Sequence, residues 1–364
     1  MSHYHLACTE CHESHDADVY TLACRKCSAP LEVAYSDKDV GLSPLHDPDK
    51  ALTLGEGNTP VIELPRIARS LGVGAIFAKL EYANPTGSFK DRGTAVMIGV
   101  MREHGVTELV EDSSGNAGAS ASAYCARAGI TGHIFAPATA PAAKLAQIRV
   151  YGATLHAIPG PREAATEAAE AFQKEHGFPY ASHNLSPYFI EGTKLFAIEA
   201  AMQLGESLPV HVVMPVGNGS LFIGSYKGFN ELVQAEQLKA VPKLHAVQSM
   251  AAMGVVAAHR GEQWTPSGKK TIAGGISSVA PPRKNEMVRV LKNSGGSGVA
   301  VEDEDIVHWQ RELAEQEGVY AEPTSAAAFA GIVALVQQGV LDSKSAVLVP
   351  ITGSGLKDEP PAAL

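Results

Sequence analysis

The sequence predicts an α/β fold with largely parallel sheets, arranged as two domains behind a small cysteine ribbon. Three observations carry that reading. From residue 51 onward, short apolar β-type runs alternate with Ala-rich helical stretches, the order that builds parallel sheets covered by helices. Residues 8–27 hold the pattern C-x2-C-x12-C-x2-C, in which two tight pairs complete one tetrahedral metal site. The 364 residues exceed one small core and fit about two domains.

The first forty residues form the predicted ribbon, with Cys8, Cys11, Cys24 and Cys27 as ligands of a structural zinc ion. Four thiolates leave no open coordination position, so a catalytic role for that metal is not expected. His5, His12 and His15 read as solvated polar residues that could substitute as ligands. A Pro- and Asp-rich stretch then reads as a linker over 41–50. Strands are expected at 75–80, 108–111, 133–136, 154–158, 211–215, 244–247 and 346–350. Helices are expected at 94–103, 117–128, 164–176, 193–204, 304–317 and 325–337. N-S-G-G-S-G at 293–298 reads as a flexible loop.

Composition narrows the function. Against 29 Lys and Arg stand 39 Asp and Glu, a net charge of −10, which disfavours sequence-independent nucleic-acid binding. No apolar run reaches the ~18 residues of a membrane span, and the N-terminus lacks the basic and apolar regions of a signal peptide. The expectation is a cytoplasmic enzyme for a small molecule, whose cysteines are thiols or metal ligands.

Three Gly-rich loops follow predicted strands: E-D-S-S-G-N-A-G-A-S at 111–120, P-V-G-N-G-S-L-F-I-G at 215–224, and V-P-I-T-G-S-G-L-K-D at 349–358. Backbone amides at the start of a helix make an anion site. A substrate carboxylate suits the first loop and a phosphate suits Gly217, Asn218, Gly219 and Ser220 of the second. The second loop is neither a Walker A motif nor a dinucleotide fingerprint. In N-P-T-G-S-F-K-D-R-G, residues 84–93, Lys90 follows an aromatic that can cover its stem. A desolvated lysine is a neutral amine able to form a Schiff base. An aldehyde cofactor bearing a phosphate needs that amine, a phosphate cradle and a partner for its ring nitrogen.

The same stretch resembles the cofactor-lysine motif of pyridoxal-phosphate enzymes of the tryptophan-synthase-β fold type. G-E-G-N-T-P (55–60), K-L-E-Y-A-N-P-T (79–86), S-S-G-N (113–116), E-P-T-S-A (322–326) and T-G-S-G-L-K-D (352–358) match further. S-F-K-D-R-G and the last motif look most like threonine synthase, a family in which a cysteine ribbon can precede the catalytic part. The resemblance implies a two-domain fold type II enzyme: 51–92 and 190–358 as a large cofactor-binding domain, 93–189 as a small substrate-facing domain. It implies that Lys90 forms the Schiff base with pyridoxal 5'-phosphate and moves protons. Phe89 packs against the cofactor and Asn116 bonds its ring oxygen. Gly217, Asn218, Gly219, Ser220 and Leu221 hold its phosphate, and Thr352 faces the pyridine nitrogen. Ser113, Ser114, Gly115, Asn116 and Ala117 face the substrate. Glu322 and Ser325 line the site in relatives. Asp91 and Arg92 read as structural partners for one another or for backbone.

Two positions depart from the family's pattern. Ala117 stands where a Thr commonly helps bind substrate. Phe189 stands where threonine synthases typically place an Arg for the phosphate of O-phosphohomoserine, and an aromatic supplies no charge-assisted donor. His183, Asn184 and Lys194 are the polar residues of that segment available to compensate. The resemblance therefore implies either threonine synthesis or a related lyase or β-replacement reaction on serine, threonine, diaminopropionate or a cysteate precursor. A homodimer is expected by analogy with the family.

Overall fold

The computed structural model describes residues 3–36, 39–47, 51–140, 142–160, 162–358 and 360. Residues 48–50 of the expected linker lie outside that set. The chain divides into two compact units, 1–56 with 84–195, and 57–83 with 196–364. Residues 51–56, 84–92 and 190–195, expected in the larger domain, belong to the first unit, where Leu52 joins the core and Glu56 accepts the Tyr124 hydroxyl at 2.6 Å. The physical reason is that Lys90 opens a buried helix of that unit.

In the first unit, β1 (Tyr4–Cys8), β2 (Ser14–His15) and β3 (Leu31–Tyr35) form an antiparallel ribbon in the order β2-β1-β3. The alternation in β1 buries Tyr4, Leu6 and Cys8, so one face of the ribbon has apolar content. That face joins a cluster with Met97, Ile98, Tyr124, Tyr188 and Phe189. Tyr188 also donates its hydroxyl to the Asp18 carbonyl at 2.7 Å.

In the second unit, β4 (Val61–Glu63), α1 (Pro65–Leu71) and β5 (Ala75–Lys79) come first. The first unit then resumes with α2 (Lys90–Glu103), β6 (Glu108–Glu111), α3 (Asn116–Ala128), β7 (Thr131–Pro137), α4 (Ala142–Val150), β8 (Thr154–Ile158), α5 (Arg162–His176) and α6 (Pro187–Thr193). Strands β6, β7 and β8 lie in that order and are parallel. A parallel bridge between Val110 and Tyr180 lengthens the open edge of β6, with Ala181 donating to Val110 at 2.7 Å. The expected helix 193–204 is two helices. Pro187 starts α6 at its first turn, where a missing N–H costs nothing, and α7 (Leu195–Leu204) begins after Lys194.

The second unit continues with β9 (His211–Pro215), α8 (Ser220–Gln234), β10 (Lys243–Ser249), α9 (Gly254–Arg260), α10 (Lys284–Ser294), β11 (Gly298–Val301), α11 (Asp303–Glu317), α12 (Pro323–Gln337) and β12 (Ala346–Pro350). Its six-stranded sheet runs β11-β10-β9-β12-β5-β4. Every pairing is parallel except β4 with β5. The near-continuous apolar strands β9 and β12 suit burial on both faces. The expected loop 293–298 is shorter than its glycines suggest. α10 runs through Ser294 and stops at Gly295 in a left-handed cap, and Gly298 already opens β11. Among the described residues, no helix is long and apolar enough to cross a membrane.

Candidate active site

Lys90 is the first residue of α2 and is half-buried. The amino end of a helix is an unfavourable place for a cation. Its Nζ lies 4.7 Å from the centre of the Phe89 ring and 5.5 Å from that of Phe189. Asp91 is fully buried and fixes the turn that presents the lysine. Its carboxylate accepts from the Thr86 amide at 2.7 Å, the Thr86 hydroxyl at 2.6 Å and the Ser120 hydroxyl at 2.6 Å. The backbone partner expected for Asp91 is the Thr86 amide, and the Thr86 and Ser120 hydroxyls join it. Close approach of α6 to α2 depends on glycine. A Cβ on Gly93 would sit 2.5 Å from the Phe189 ring, and one on Gly192 would overlap the Arg92 carbonyl.

The Ser113–Gly115 loop links β6 to α3, and Asn116 is the first residue of that helix. Gly115 donates to the Ser113 hydroxyl at 3.3 Å, and a Cβ on Gly118 would strike the Ser113 carbonyl. The loop is thus folded back on the helix that it starts. Ala117 is buried and adds no polar group. Directly before the loop, Glu111 meets His183 Nδ1 at 2.6 Å, both buried. This pair went unread in the sequence. The signal was an acidic residue ending an apolar strand, but its partner is 72 positions away.

Lys194 and His183, two of the compensating polar residues, are engaged. Lys194 lies 2.8 Å from Glu191, and both are buried. Glu191 also accepts the Tyr35 hydroxyl at 2.7 Å.

The second unit brings the other two loops together. β9 and β12 are paired neighbours, with Val347 opposite His211 and Leu348 opposite Val212. Their carboxyl-end loops, 216–219 and 351–354, therefore leave adjacent strands. The chain order reverses between those strands, where open α/β sheets bind ligands. Gly219 caps α8 with φ of 84°. A Cβ there would overlap Met287, and one on Gly217 would overlap the Gly275 carbonyl. Backbone can approach an anion at these glycines, and the amides of the first turn of α8 face beyond the helix. Ser220 and Leu221 form that first turn, with Asn218 half-buried beside them.

Thr352 is buried and donates to Glu322 at 2.8 Å, and it shares a 2.8 Å hydrogen bond with Ser325. Gly353 donates to the Ser325 hydroxyl at 3.2 Å. Glu322 and Ser325 thus hold the Thr352 hydroxyl in one orientation. The helix-start cradle is the donor set that a phosphate requires, and the buried Thr352–Ser325 hydroxyl pair is the neutral, uncharged kind of partner that suits an unprotonated pyridine nitrogen, so the residues fit pyridoxal phosphate.

In the ribbon, the four cysteine sulfurs lie within 4.8 Å of one another. Cys8 and Cys27 are 3.4 Å apart and Cys11 and Cys24 are 3.7 Å apart, close to the ~3.8 Å edge of a tetrahedron with ~2.3 Å Zn–S bonds. The amides of Glu10 and Cys11 point at the Cys8 sulfur, each at 3.4 Å, and that of Lys26 points at the Cys24 sulfur at 3.4 Å. Such donors stabilise thiolates. The cluster can hold a metal ion, and His5, His12 and His15 are not members of it.

Comparisons with known proteins agree with this arrangement. Residues 52–353 match the family described as pyridoxal-phosphate dependent enzyme. The chain is 32% identical to the threonine synthase of Methanocaldococcus jannaschii over 98% of its own length and 93% of that protein. It is 36% identical to the threonine synthase of Bacillus sp. (strain ULM1) over 86% of its own length and 87% of that protein. Its fold is similar to that of maize serine racemase, with a TM-score of 0.71 at 22% identity over 82% of this chain and 88% of that one. The chain therefore belongs to the pyridoxal-phosphate dependent enzymes of fold type II and is closely related to the threonine synthases.

Proposed function

We propose that this enzyme converts O-phosphohomoserine and water to threonine and phosphate. The observation that carries the reading is likeness to threonine synthases along nearly the whole chain, cysteine segment included. In this reading Lys90 holds the cofactor and shuttles protons between adjacent substrate carbons, with Phe89 beside it. Gly217, Asn218, Gly219, Ser220 and Leu221 bind the cofactor phosphate. Asn116 bonds its ring oxygen. Thr352, held by Glu322 and Ser325, faces its pyridine nitrogen. Ser113, Ser114, Gly115, Asn116 and Ala117 receive the substrate's carboxylate end. When bound, the cofactor supplies an electron sink that lets a proton leave the substrate's α-carbon. A neutral hydroxyl at the ring nitrogen tempers that sink and favours elimination and replacement over transamination. Zinc in the Cys8, Cys11, Cys24 and Cys27 cluster is structural.

A second reading is favoured by Phe189. It is fully buried, it offers no donor to a phosphate, and Lys194 is committed to Glu191. The same machinery would then eliminate or replace a smaller group on serine, threonine or diaminopropionate. One assay separates the two. Purified holoenzyme is offered O-phosphohomoserine and, separately, the three unphosphorylated amino acids. Phosphate release with threonine formation supports the first reading. Ammonia and a keto acid without phosphate turnover sink it. The homodimer expected for this family is read by light scattering on the same sample.

A further inference from the structure

The buried pair beneath the Ser113–Gly115 loop has no part in the scheme above. Glu111 ends β6, and His183 follows the segment that bridges to Val110 along the edge of that strand. Two separate pieces of backbone thus bring the carboxyl and the imidazole to 2.6 Å. Glu111 is 1% exposed and His183 6%. The His183 ring sits edge-on to Phe189, 6.1 Å between centroids, and Phe189 in turn lies 5.5 Å from Lys90 Nζ. The pair therefore lies directly before the substrate loop, with the Phe189 ring between it and the lysine.

Its protonation state follows from burial. Burial, with Asp112 adding to it, raises the Glu111 carboxyl well above its ordinary range, against the opposing charges of Lys90 and Arg162 and a hydrogen bond from the His183 backbone amide. Burial, then Lys90 and Arg162, lowers the His183 imidazole well below its own. Both shifts favour a neutral acid beside a neutral imidazole. The carboxyl hydrogen then bonds to Nδ1, so the ring's own hydrogen sits on Nε2. Glu111 Oε2 has no hydrogen-bond partner among the described residues. A neutral acid's carbonyl oxygen tolerates that better than half of an ionised carboxylate does.

We propose that His183, backed by Glu111, is a general acid that gives its Nε2 hydrogen to the group leaving the substrate. This rests on the elimination chemistry proposed above, whichever leaving group is used. The step balances. Lys90 takes the proton from the substrate's carbon and gains one positive charge. The C–H electron pair forms the new C–C π bond, and the leaving group departs with its own bonding pair. That group takes the Nε2 hydrogen, the Glu111 hydrogen moves to Nδ1, and the pair gains one negative charge. Solvent returns the lysine's proton to the pair. A donor here also suits a site whose neighbouring aromatic, Phe189, cannot stabilise a departing anion.

The test varies the leaving group. Wild-type holoenzyme, His183→Gln and Glu111→Gln are assayed on O-phosphohomoserine, serine and threonine, and on β-chloro-L-alanine, whose chloride departs without a proton. On the natural-type substrate that wild type turns over, kcat is expected to fall about 100-fold in His183→Gln with KM little changed. On β-chloro-L-alanine the loss is expected to shrink below about threefold. An equal loss on both classes, or none, overturns the proposal. Nitrogen NMR of labelled wild-type holoenzyme gives a readout independent of turnover. It should show hydrogen on Nε2 of His183, and hydrogen on Nδ1 with a bare Nε2 overturns the proposal. If wild type turns over none of these substrates, the elimination reading falls. The NMR arm still decides whether the pair holds its donor.

Discussion

Lys194 Nζ lies 2.8 Å from the Glu191 carboxylate, three residues earlier, and neither side chain reaches solvent. The Tyr35 hydroxyl completes the set from the ribbon, and Lys194 lies 4.8 Å from the Tyr35 ring centre. A lysine that looks available for an anionic substrate is thus consumed in fastening α6 to β3. Lys194→Met should destabilise the protein by about 3–5 kcal/mol, because it strands a buried carboxylate. Adding Glu191→Gln should restore part of that loss. Urea unfolding of the two variants measures both. A neutral effect of Lys194→Met would mean that the ion pair contributes nothing.

Gly219→Ala should weaken pyridoxal-phosphate binding by about tenfold or more, since the new methyl must displace Met287 in a left-handed backbone. Gly274→Ala, where a Cβ meets nothing within 4 Å, is the control and should bind normally. Fluorescence titration of the apoenzyme reads both constants.

Lys90→Ala should abolish the absorption band near ~410 nm that reports a Schiff base between lysine and cofactor. A band that survives the substitution would place the cofactor on another amine.

The ribbon should carry about one zinc ion per chain, removable by a strong chelator together with a fall of several degrees in thermal midpoint. Metal analysis before and after treatment checks the first claim and calorimetry the second. Cys24→Ser should reproduce the apo behaviour.

His245 gives a pH prediction. Ser297 donates its amide to His245 Nδ1 at 3.1 Å, so Nε2 carries the hydrogen toward His211 Nδ1 at 2.9 Å. Burial, with His211 and Lys243 adding to it, pushes the His245 imidazole down to about 3. The folded value lies below the unfolded one. The stability it contributes is therefore complete above pH ~6.5 and is lost as pH falls toward about 3. Between pH 6.5 and 4.5 that loss should reach about 2–3 kcal/mol. His245→Gln should flatten this limb of a stability-versus-pH curve, and an unchanged slope would remove His245 from the account.

Much of this was legible in the sequence because local chemistry signals it. Glu108–Glu111, Thr154–Ile158, His211–Pro215 and Ala346–Pro350 are strands over the expected residues, since apolar runs of that length bounded by Gly or Pro have few other uses. The cysteine spacing announced the cluster for the same reason. Glu111 and His183 were illegible as a pair, because a bridge along a sheet edge joins them and no spacing rule encodes it. In the sequence Lys79 stands out only as the first residue of K-L-E-Y-A-N-P-T. In the structure it is buried, 2.6 Å from Glu199 and 2.7 Å from Gln203, and it donates to the Thr59 carbonyl at 3.1 Å. That part of the motif is architecture. The break at Lys194 depends on how α6 packs against α2 through Gly93 and Gly192, which periodicity does not report.

The place of β12 has a consequence for how the protein is made. The last strand among the described residues lies in the middle of its sheet, between β9 and β5. During synthesis, the antiparallel β4–β5 pair and the β9–β10–β11 ladder wait as separate pieces with exposed inner edges until residue 350 has left the ribosome. A nascent chain stalled before that point leaves one strand-sized gap, flanked by the open edges of β9 and β5, and such edges invite mispairing. The Thr352 loop that follows β12 is completed at the same moment, so the Thr352 hydroxyl is set in place only once the sheet has closed.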